Sequence, residues 1–279
     1  MTAVPAADDA GTGRRRFVAP LRGQVDLCVF DHPLFADFSD FAALLRAADW
    51  PGTDVLNAQL PVQGKQFVAQ DDVLLGDGLH YEQRIAQGGI ATREQNWHDL
   101  FNALVWARYP AIKQALNAQQ CRHIAAMGAS QRNRAQAALT QFDETGVIVR
   151  VRDASLLSAW DRHDWSLLFN PVHWREGDIA VCAIIGHALM EQALLPERLL
   201  VGKCLVVVGD DDVACVTAVA TAIEGDRLLA DPAELRPLPL AGIPGWHASQ
   251  DAAFYQLTDY FRPLREGRLY PAPLSFSRS

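Results

Sequence analysis

The sequence lacks the motifs that mark the commonest enzyme sites. It contains no G-x-x-x-x-G-K-[ST] phosphate loop, no G-x-G-x-x-G dinucleotide fingerprint, no G-x-S-x-G nucleophile elbow and no H-E-x-x-H zinc motif. A catalytic site therefore has to be assembled from residues that lie far apart in the chain. Positive charge is also in short supply, because the net charge is -8 at pH 7. This charge argues against a protein that binds nucleic-acid phosphates.

Long apolar runs and paired cysteines are missing as well. The longest apolar stretches, IAVCAIIGHALM and VACVTAVATAI, are well short of the ~20 residues that a membrane-spanning helix needs. No apolar segment follows the basic cluster near the N-terminus, so we expect no secretory signal. The five cysteines form no C-x-x-C pair and are typical of a reducing compartment. Together these features predict a cytoplasmic protein that binds neither membranes nor nucleic acids.

Composition and patterning predict one globular domain of the α+β class. The chain has 279 residues, 49% hydrophobic and 21% charged, which is ordinary for a globular protein with a sizeable core. Residues 1–16 are small and polar with three consecutive arginines, and predict a disordered tail. No repeat or low-complexity linker divides residues 17–279, which we expect to form a single mixed domain. Several helices should pack there on a small, largely antiparallel sheet.

Hydrophobic periodicity predicts the elements of this domain. Apolar residues at helical spacing predict helices within 34–50, 92–109, 155–169, about 178–195 and 249–265. The stretches KQFVAQ, LHYEQRI and GKCLVVV predict strands. The stretch ALTQFDETGVIVRVR favours a β-hairpin, with a helical first half as the alternative, and TAIEGDRLLA favours a second hairpin.

The segment TREQNWHDLFNALVWARYP, residues 92–110, carries polar side chains along the border of an apolar helix face. His98 and Asn102 are four residues apart, so they are neighbours on the helix surface at the edge of that face. Asp99 has a local explanation, because Asn96 and Asp99 have the N-cap and N3 spacing of a capping box, a spacing that Thr92 and Gln95 offer as well. A hydrogen-bonded pair that holds the helix to a loop is the structural alternative for the other two. We predict that His98, Asn102 and Asp99 belong to a functional site.

The segment GHALMEQALLP supplies a second pair of polar residues. His187 and Glu191 are four apart on a helix that is apolar nearly all round, which predicts that both are buried and need partners. They could satisfy each other, or they could face the edge formed by His98 and Asn102. Gly186, directly before His187, would let another backbone approach closely.

If the two predicted helices meet, their side chains suit two kinds of chemistry. His98, His187 and Glu191 are adequate ligands for a divalent metal ion. The same residues could instead form a general-base site, in which a carboxylate orients a neutral histidine and Asn102 donates to an oxyanion. A buried ion pair without chemistry is the structural alternative.

Other residues near this edge are candidates for contacts with a small-molecule or anionic substrate. Arginines could neutralise its charge, and aromatic side chains lie beside the polar edge of the first helix. We predict substrate contacts for Arg84, Arg93, Trp106 and Tyr109. Asp143 and Glu144, in the stretch FDETG, are adjacent residues in a turn-rich segment, and predict a solvated turn.

Six stretches along the chain carry a resemblance to a known family. They are YEQRI (81–85), TREQNWHDLFNALVWARYPAIKQALN (92–117), LTQFDETG (139–146), GHALMEQ (186–192), GIPGW (242–246) and YFRP (260–263). Together they resemble the bacterial family known as domain of unknown function 3025. The resemblance covers most of the chain beyond the predicted tail and implies one domain over about 20–270 in a soluble bacterial protein. It implies no activity, cofactor or residue role.

Two functions of different classes are compatible with these features. The first is a hydrolase in which His98 acts as base or metal ligand together with His187 and Glu191, while Asn102 and Asp99 orient groups. The second is a non-catalytic binding or scaffold protein whose seven tryptophans and GIPGW turn supply a partner surface. Convergence of His98, His187 and Glu191 at a cleft would favour the enzyme.

Overall fold

Helices dominate the first half of the chain. The computed structural model describes residues 17–128 and 131–275, and the predicted tail, residues 1–16, lies outside them. Short turns of 3-10 helix cover most of residues 22–41. The regular elements that follow are α1 (Ala42–Arg46), α2 (Thr53–Gln59), β1 (Gln66–Ala69), α3 (Asp72–Leu75), α4 (Tyr81–Ala86), β2 (Gly89–Thr92), α5 (Trp97–Arg108), α6 (Pro110–Met127) and α7 (Arg134–Thr145).

The second half of the chain contains the larger sheet. Its elements are β3 (Gly146–Val151), α8 (Ala154–Asp161), α9 (Trp165–Leu168), α10 (Pro171–Arg175), β4 (Ile179–Ile184), α11 (His187–Gln192), β5 (Val201–Val208), α12 (Asp212–Glu224), β6 (Arg236–Pro239) and β7 (Leu274–Ser275). The strand order is β4-β3-β5-β6, and β7 also pairs with β5. In the first half, β1 and β2 form a separate parallel pair.

The larger sheet is mixed rather than largely antiparallel. β3 pairs antiparallel with β4 and parallel with β5, while β5 pairs antiparallel with β6 and parallel with β7. A parallel pair needs a long crossover connection, which the segment from α8 to α11 provides between β3 and β5. Every residue of β3 is buried, because α7, α8 and α12 all pack against this central strand. The predicted α+β class is confirmed.

Buried apolar side chains from both halves of the chain belong to one hydrophobic cluster. The cluster includes Phe38 and Phe101 from the first half and Val149 and Ile223 from the second. Within residues 17–128 and 131–275, none of the helices has the length and apolarity needed to cross a membrane.

Several predicted elements take a different form. LHYEQRI contains helix α4 instead of a strand, because the side chain of His80 caps that helix by accepting from the backbone N–H of Glu82. Residues 178–195 form strand β4 and then α11 instead of one helix. A strand buried in a sheet is a short continuous apolar run, which periodicity alone does not distinguish from a buried helix.

Three further stretches show how packing decides between local alternatives. In ALTQFDETGVIVRVR the first half is helical, as the alternative prediction had it. Helix α7 runs directly into β3, with no hairpin turn between them. TAIEGDRLLA contains the end of α12 where we expected a hairpin. In residues 249–265, where we expected an amphipathic helix, the regular element is a single 3-10 turn, Phe254–Gln256. Aromatic side chains of this segment pack on one another, as in the pair Phe254–Phe261, and this packing replaces helical hydrogen bonding.

Candidate active site

Three helix ends bring His98, Glu144 and His187 together. His98 lies in the first turn of α5, Glu144 in the last turn of α7, and His187 is the first residue of α11. The start of α5 is fixed by Asn96, whose side chain accepts a hydrogen bond from the backbone N–H of Asp99 at 3.0 Å. The predicted N-cap at Asn96 is therefore confirmed.

Gly186 allows α11 to begin directly against the end of α7. A Cβ atom at position 186 would lie 2.5 Å from the Cα of Thr145, so only glycine is accommodated there without a shift of backbone. The backbone N–H groups of Ile185 and Gly186 both donate to the carbonyl of Gly146, at 3.0 and 2.9 Å. This close approach, which the sequence predicted, places His187 beside Glu144.

The donor atoms of the three side chains converge on one point. The Nε2 atoms of His98 and His187 are 3.1 Å apart. The two carboxylate oxygens of Glu144 lie 4.0 Å from Nε2 of His98 and 3.8 Å from Nε2 of His187. All three donor atoms lie within 4.8 Å of one another. Two nitrogens bound to a tetrahedral zinc ion at 2.0–2.1 Å are about 3.3 Å apart, so the imidazole spacing matches that of a metal site.

Glu191 orients His98 from the opposite side of the imidazole ring. Its Oε2 lies 3.4 Å from Nδ1 of His98, and because a carboxylate only accepts, Nδ1 carries the hydrogen. Nε2 of neutral His98 is then free to bind a cation. Nδ1 of His187 is buried and has no hydrogen-bond partner among the described residues, since the nearest oxygen of the Asp143 carboxylate is 3.9 Å away. Metal-binding histidines usually have a partner on their second nitrogen, and His98 has one in Glu191. We expected Glu191 to be the third metal ligand beside the two histidines. In the structure Glu144 supplies the third donor atom instead.

The two histidines have pKa values shifted in opposite directions. Burial lowers the pKa of His98, but its hydrogen bond with Glu191 and the charge of Glu144 outweigh burial, so the pKa is raised. Burial, reinforced by the charges of Lys113 and His98, lowers the pKa of His187 well below its ordinary value. In the metal-free protein His187 is therefore neutral, and its Nε2 accepts a hydrogen bond from Nε2 of His98. Burial also raises the pKa of Glu144, although the charge of His98 opposes this.

These three residues line a cavity of about 350 Å³. Cavities that bind small molecules typically have volumes of ~300–1,000 Å³. Of the predicted site residues, Asn102, Asp99, Arg93 and Trp106 also line it, whereas Glu191, Arg84 and Tyr109 lie outside the lining. The remaining polar lining includes Glu82, Lys113, Asn117, Gln136, Thr140 and Asp143.

Two of the predicted residues in this lining bind each other. Asp99 accepts from the Nε and Nη2 atoms of Arg93 at 3.0 and 2.7 Å, and also from the Arg93 backbone N–H at 2.6 Å. This bidentate pair neutralises both charges and holds the loop before α5 against the helix. The predicted capping box is therefore only half formed, because the Asp99 carboxylate accepts from Arg93 and not from the backbone N–H of Asn96.

Arg84 and Tyr109 have partners away from the cavity. The guanidinium of Arg84 donates to both carboxylate oxygens of Asp77, at 2.9 and 2.6 Å, and to the carbonyl of Leu74 at 2.9 Å. The hydroxyl of Tyr109 donates to the carboxylate of Asp37. Both side chains connect neighbouring segments, which is a structural role.

Sequence reasoning missed the acidic residues of the cavity. Asp143 and Glu144 are in the last turn of α7, where Asp143 pairs with buried Lys113 at 2.5 Å. Burial raises the pKa of Glu82 to about 7, although a hydrogen bond from Asn117 Nδ2 at 2.7 Å opposes the shift. A signal was present, because Gln136, Thr140 and Glu144 recur at four-residue intervals, and such residues lie along one side of a helix.

The tryptophans do not form an exposed surface. Trp97, Trp106, Trp160 and Trp165 are buried, and Trp50, Trp174 and Trp246 are partly buried against the same hydrophobic cluster. Trp246, from the GIPGW turn, packs edge to face on His32 with ring centroids 5.4 Å apart. Trp246 also lines a second, largely apolar cavity with Leu195 and Leu240, so a partner surface at the GIPGW turn stays a prediction.

Comparison with known proteins gives one match, to a protein family. A family model described as "Protein of unknown function (DUF3025)" matches residues 65–265, which include every residue of the cluster and of its cavity. No curated protein and no solved structure matches the chain. The family resemblance of the six sequence stretches is confirmed, and the chain belongs to the family of domain of unknown function 3025.

Proposed function

We propose that this protein is a hydrolase of small molecules that uses a divalent metal ion held by His98, Glu144 and His187. The observation that carries the proposal is the convergence of their three donor atoms within 4.8 Å, in the wall of a cavity. Two histidines and one carboxylate form the ligand set of several catalytic zinc sites, in which a fourth position is left for water or substrate. The outer contact of the His98 imidazole with Glu191 supports the same assignment.

In the proposed reaction, a metal ion at this position would acidify water and polarise the substrate bond. Water adds to the electrophilic carbon, the bond to the leaving group breaks, and the proton released by water passes to the leaving group. Glu82 is suited to carry that proton, because its carboxyl lines the cavity and its pKa is raised to about 7 by burial. Glu191 is a positioning residue, since it acts through His98.

Metal binding is tested by calorimetric titration of chelator-treated protein with Zn²⁺. Wild type should bind one ion, and His98→Ala and Glu144→Gln should abolish or strongly weaken binding. Glu191→Gln should keep the stoichiometry and lose affinity by about 10–100-fold, as typical for an outer partner of a metal-binding histidine. Glu144 is more than a third exposed, so its variant is expected to fold.

His173→Ala is the matched control, because His173 also pairs with a carboxylate, that of Asp178 at 3.0 Å, but lies outside the cavity lining. Equal affinity in wild type and His98→Ala, or loss of affinity in the control, would refute the assignment. Hydrolytic activity is then screened with ester and amide substrates, with and without the bound ion.

We also propose that the protein works in the cytoplasm of a bacterium. All five cysteines are free, which is expected in a reducing compartment. The net charge of -8 supports a small-molecule substrate rather than a nucleic acid.

A further inference from the structure

The indole N–H of Trp106 differs from those of the other buried tryptophans. Trp106 is only 1% exposed and borders the cavity, yet its Nε1 has no hydrogen-bond partner among the described residues. The three other buried indoles each donate to a backbone carbonyl, at 3.1, 2.7 and 3.0 Å: Trp97, Trp160 and Trp165. An unpaired buried donor costs about 1–3 kcal/mol, so an acceptor from a ligand would relieve this cost.

Asn102, one helical turn before Trp106, also has an unused polar atom. Its Nδ2 donates to the hydroxyl of Tyr81 at 3.0 Å, while its Oδ1 has no partner in the described part of the chain. Asn102 is 6% exposed and borders the same cavity. The amide nitrogen of Asn102 is thus bound to Tyr81, and the amide oxygen could still accept a hydrogen bond from a ligand.

These two unpaired atoms, Nε1 of Trp106 and Oδ1 of Asn102, belong to the same row of side chains as His98, the proposed metal ligand. His98, Asn102 and Trp106 recur at four-residue intervals on α5, so they lie along one side of the helix with a rise of about 6 Å per step. A ligand whose reacting group lies at His98 would extend along this row. Its far end would reach the two residues that carry an unpaired donor, Nε1 of Trp106, and an unpaired acceptor, Oδ1 of Asn102.

Charge in the lining favours a neutral ligand at that end. Lys113 is paired with Asp143 at 2.5 Å, and Arg93 with Asp99 at 2.7 Å, so neither cation is free to bind an anion. Arg132 is exposed, at the rim of the cavity. A hydrogen-bond donor and an acceptor in one row, with Lys113 and Arg93 both engaged in ion pairs, are complementary to an amide group.

We propose that Asn102 and Trp106 bind a neutral amide group of the substrate. The amide carbonyl accepts from the indole N–H of Trp106, and the amide N–H donates to Oδ1 of Asn102. If the proposed function holds, as this step requires, the substrate is a small compound that carries a carboxamide, ureide or cyclic amide. This replaces the anionic substrate that we expected from the sequence.

The proposal is tested by NMR titration of the full chain, loaded with Zn²⁺ and free of metal, with benzamide and with benzoate. These probes have the same shape, but benzoate is an anion without an N–H group. Benzamide should shift the indole N–H resonance of Trp106, which Trp106→Phe identifies, and should bind at least about ten times more tightly than benzoate. Loss of one hydrogen bond, worth ~1.4 kcal/mol, should weaken benzamide binding about tenfold in Trp106→Phe and in Asn102→Leu.

Trp174→Phe is the matched control, because its indole donates to the carbonyl of Leu168 at 2.8 Å and it lies outside the lining. Absence of saturable benzamide binding, equal or tighter binding of benzoate to the metal-free chain, or unchanged affinity in Trp106→Phe would overturn the amide site; in the zinc-loaded chain the benzoate carboxylate could bind the metal ion itself. Selective benzamide binding by a chain that binds no metal would support the amide site and refute the metal-dependent function. Metal binding without amide selectivity would refute the amide site and support the metal-dependent function.

Discussion

Replacing Glu82 with glutamine should stabilise the metal-free protein at pH 8 and change its stability little at pH 5. Burial raises the pKa of this carboxyl from its ordinary 4.5 to about 7, against the hydrogen bond from Asn117 and with a contribution from the charge of Asp143. The folded chain therefore resists ionisation of Glu82, whereas the unfolded chain does not. Glutamine has nearly the same shape and stays neutral at both pH values.

The sign and size of the effect follow from proton linkage. Between pH 4.5 and about 7 the folded state holds the proton on Glu82 and the unfolded state has lost it, so stability falls as pH rises through this window. Above about pH 7 the folded state ionises as well, and stability falls no further through this group. At ~1.4 kcal/mol per pH unit, the advantage of Glu82→Gln over wild type should grow by about 2–3 kcal/mol between pH 5 and pH 8.

Urea unfolding at the two pH values measures this difference directly. Glu94→Gln is the matched control, because Glu94 is exposed and its carboxylate stays hydrated in both states. An equal effect of Glu82→Gln at pH 5 and pH 8, or destabilisation at pH 8, would refute burial as the cause of the shift. If Glu82 carries the proton in catalysis, the more stable variant should also be the less active one.

Three further predictions concern single contacts of the fold and the site. Trp106→Phe should lower the free energy of unfolding less than Trp160→Phe does, because both changes leave a cavity in the core but only Trp160 loses a hydrogen bond, to the carbonyl of Pro237; an equal or larger loss for Trp106→Phe in urea would contradict this. Gly186→Ala should destabilise the protein by ~3 kcal/mol or more and weaken Zn²⁺ binding, because its Cβ would lie 2.5 Å from the Cα of Thr145; wild-type behaviour in both assays would contradict it. Glu191→Gln should lower the pKa of His98 in an NMR titration of its ring protons, because the carboxylate that raises it is removed; an unchanged pKa would show that Glu191 is not the cause.

Local periodicity was sufficient to predict the row of side chains on α5. A four-residue interval fixes which side chains share an edge of a helix, whatever the helix packs against. It therefore identified His98 and Asn102, and Gly186 indicated where a second backbone approaches. The contact between His98 and His187 was a conditional prediction, because it depended on how two distant helices meet.

Glu144 was missed for a different physical reason. FDETG is rich in turn-forming residues, and a helix or a hairpin at this point is decided by tertiary packing of α7 and β3, not by local propensity. The same uncertainty caused β4 to be predicted as a helix. Which carboxylate reaches Nε2 of His98 and which reaches Nδ1 depends on ring orientation. The sequence therefore named Glu191 as a ligand, where the structure brings Glu144 to that side.

The proposed function requires that His98, Glu144 and His187 hold a metal ion. The most direct measurement is the anomalous difference map, at the zinc absorption edge, of a crystal grown with Zn²⁺. A peak about 2.0–2.1 Å from both Nε2 atoms and about 2.0–2.2 Å from a Glu144 oxygen is predicted. Absence of a peak between the three side chains, or zinc bound elsewhere on the protein, would contradict the claim.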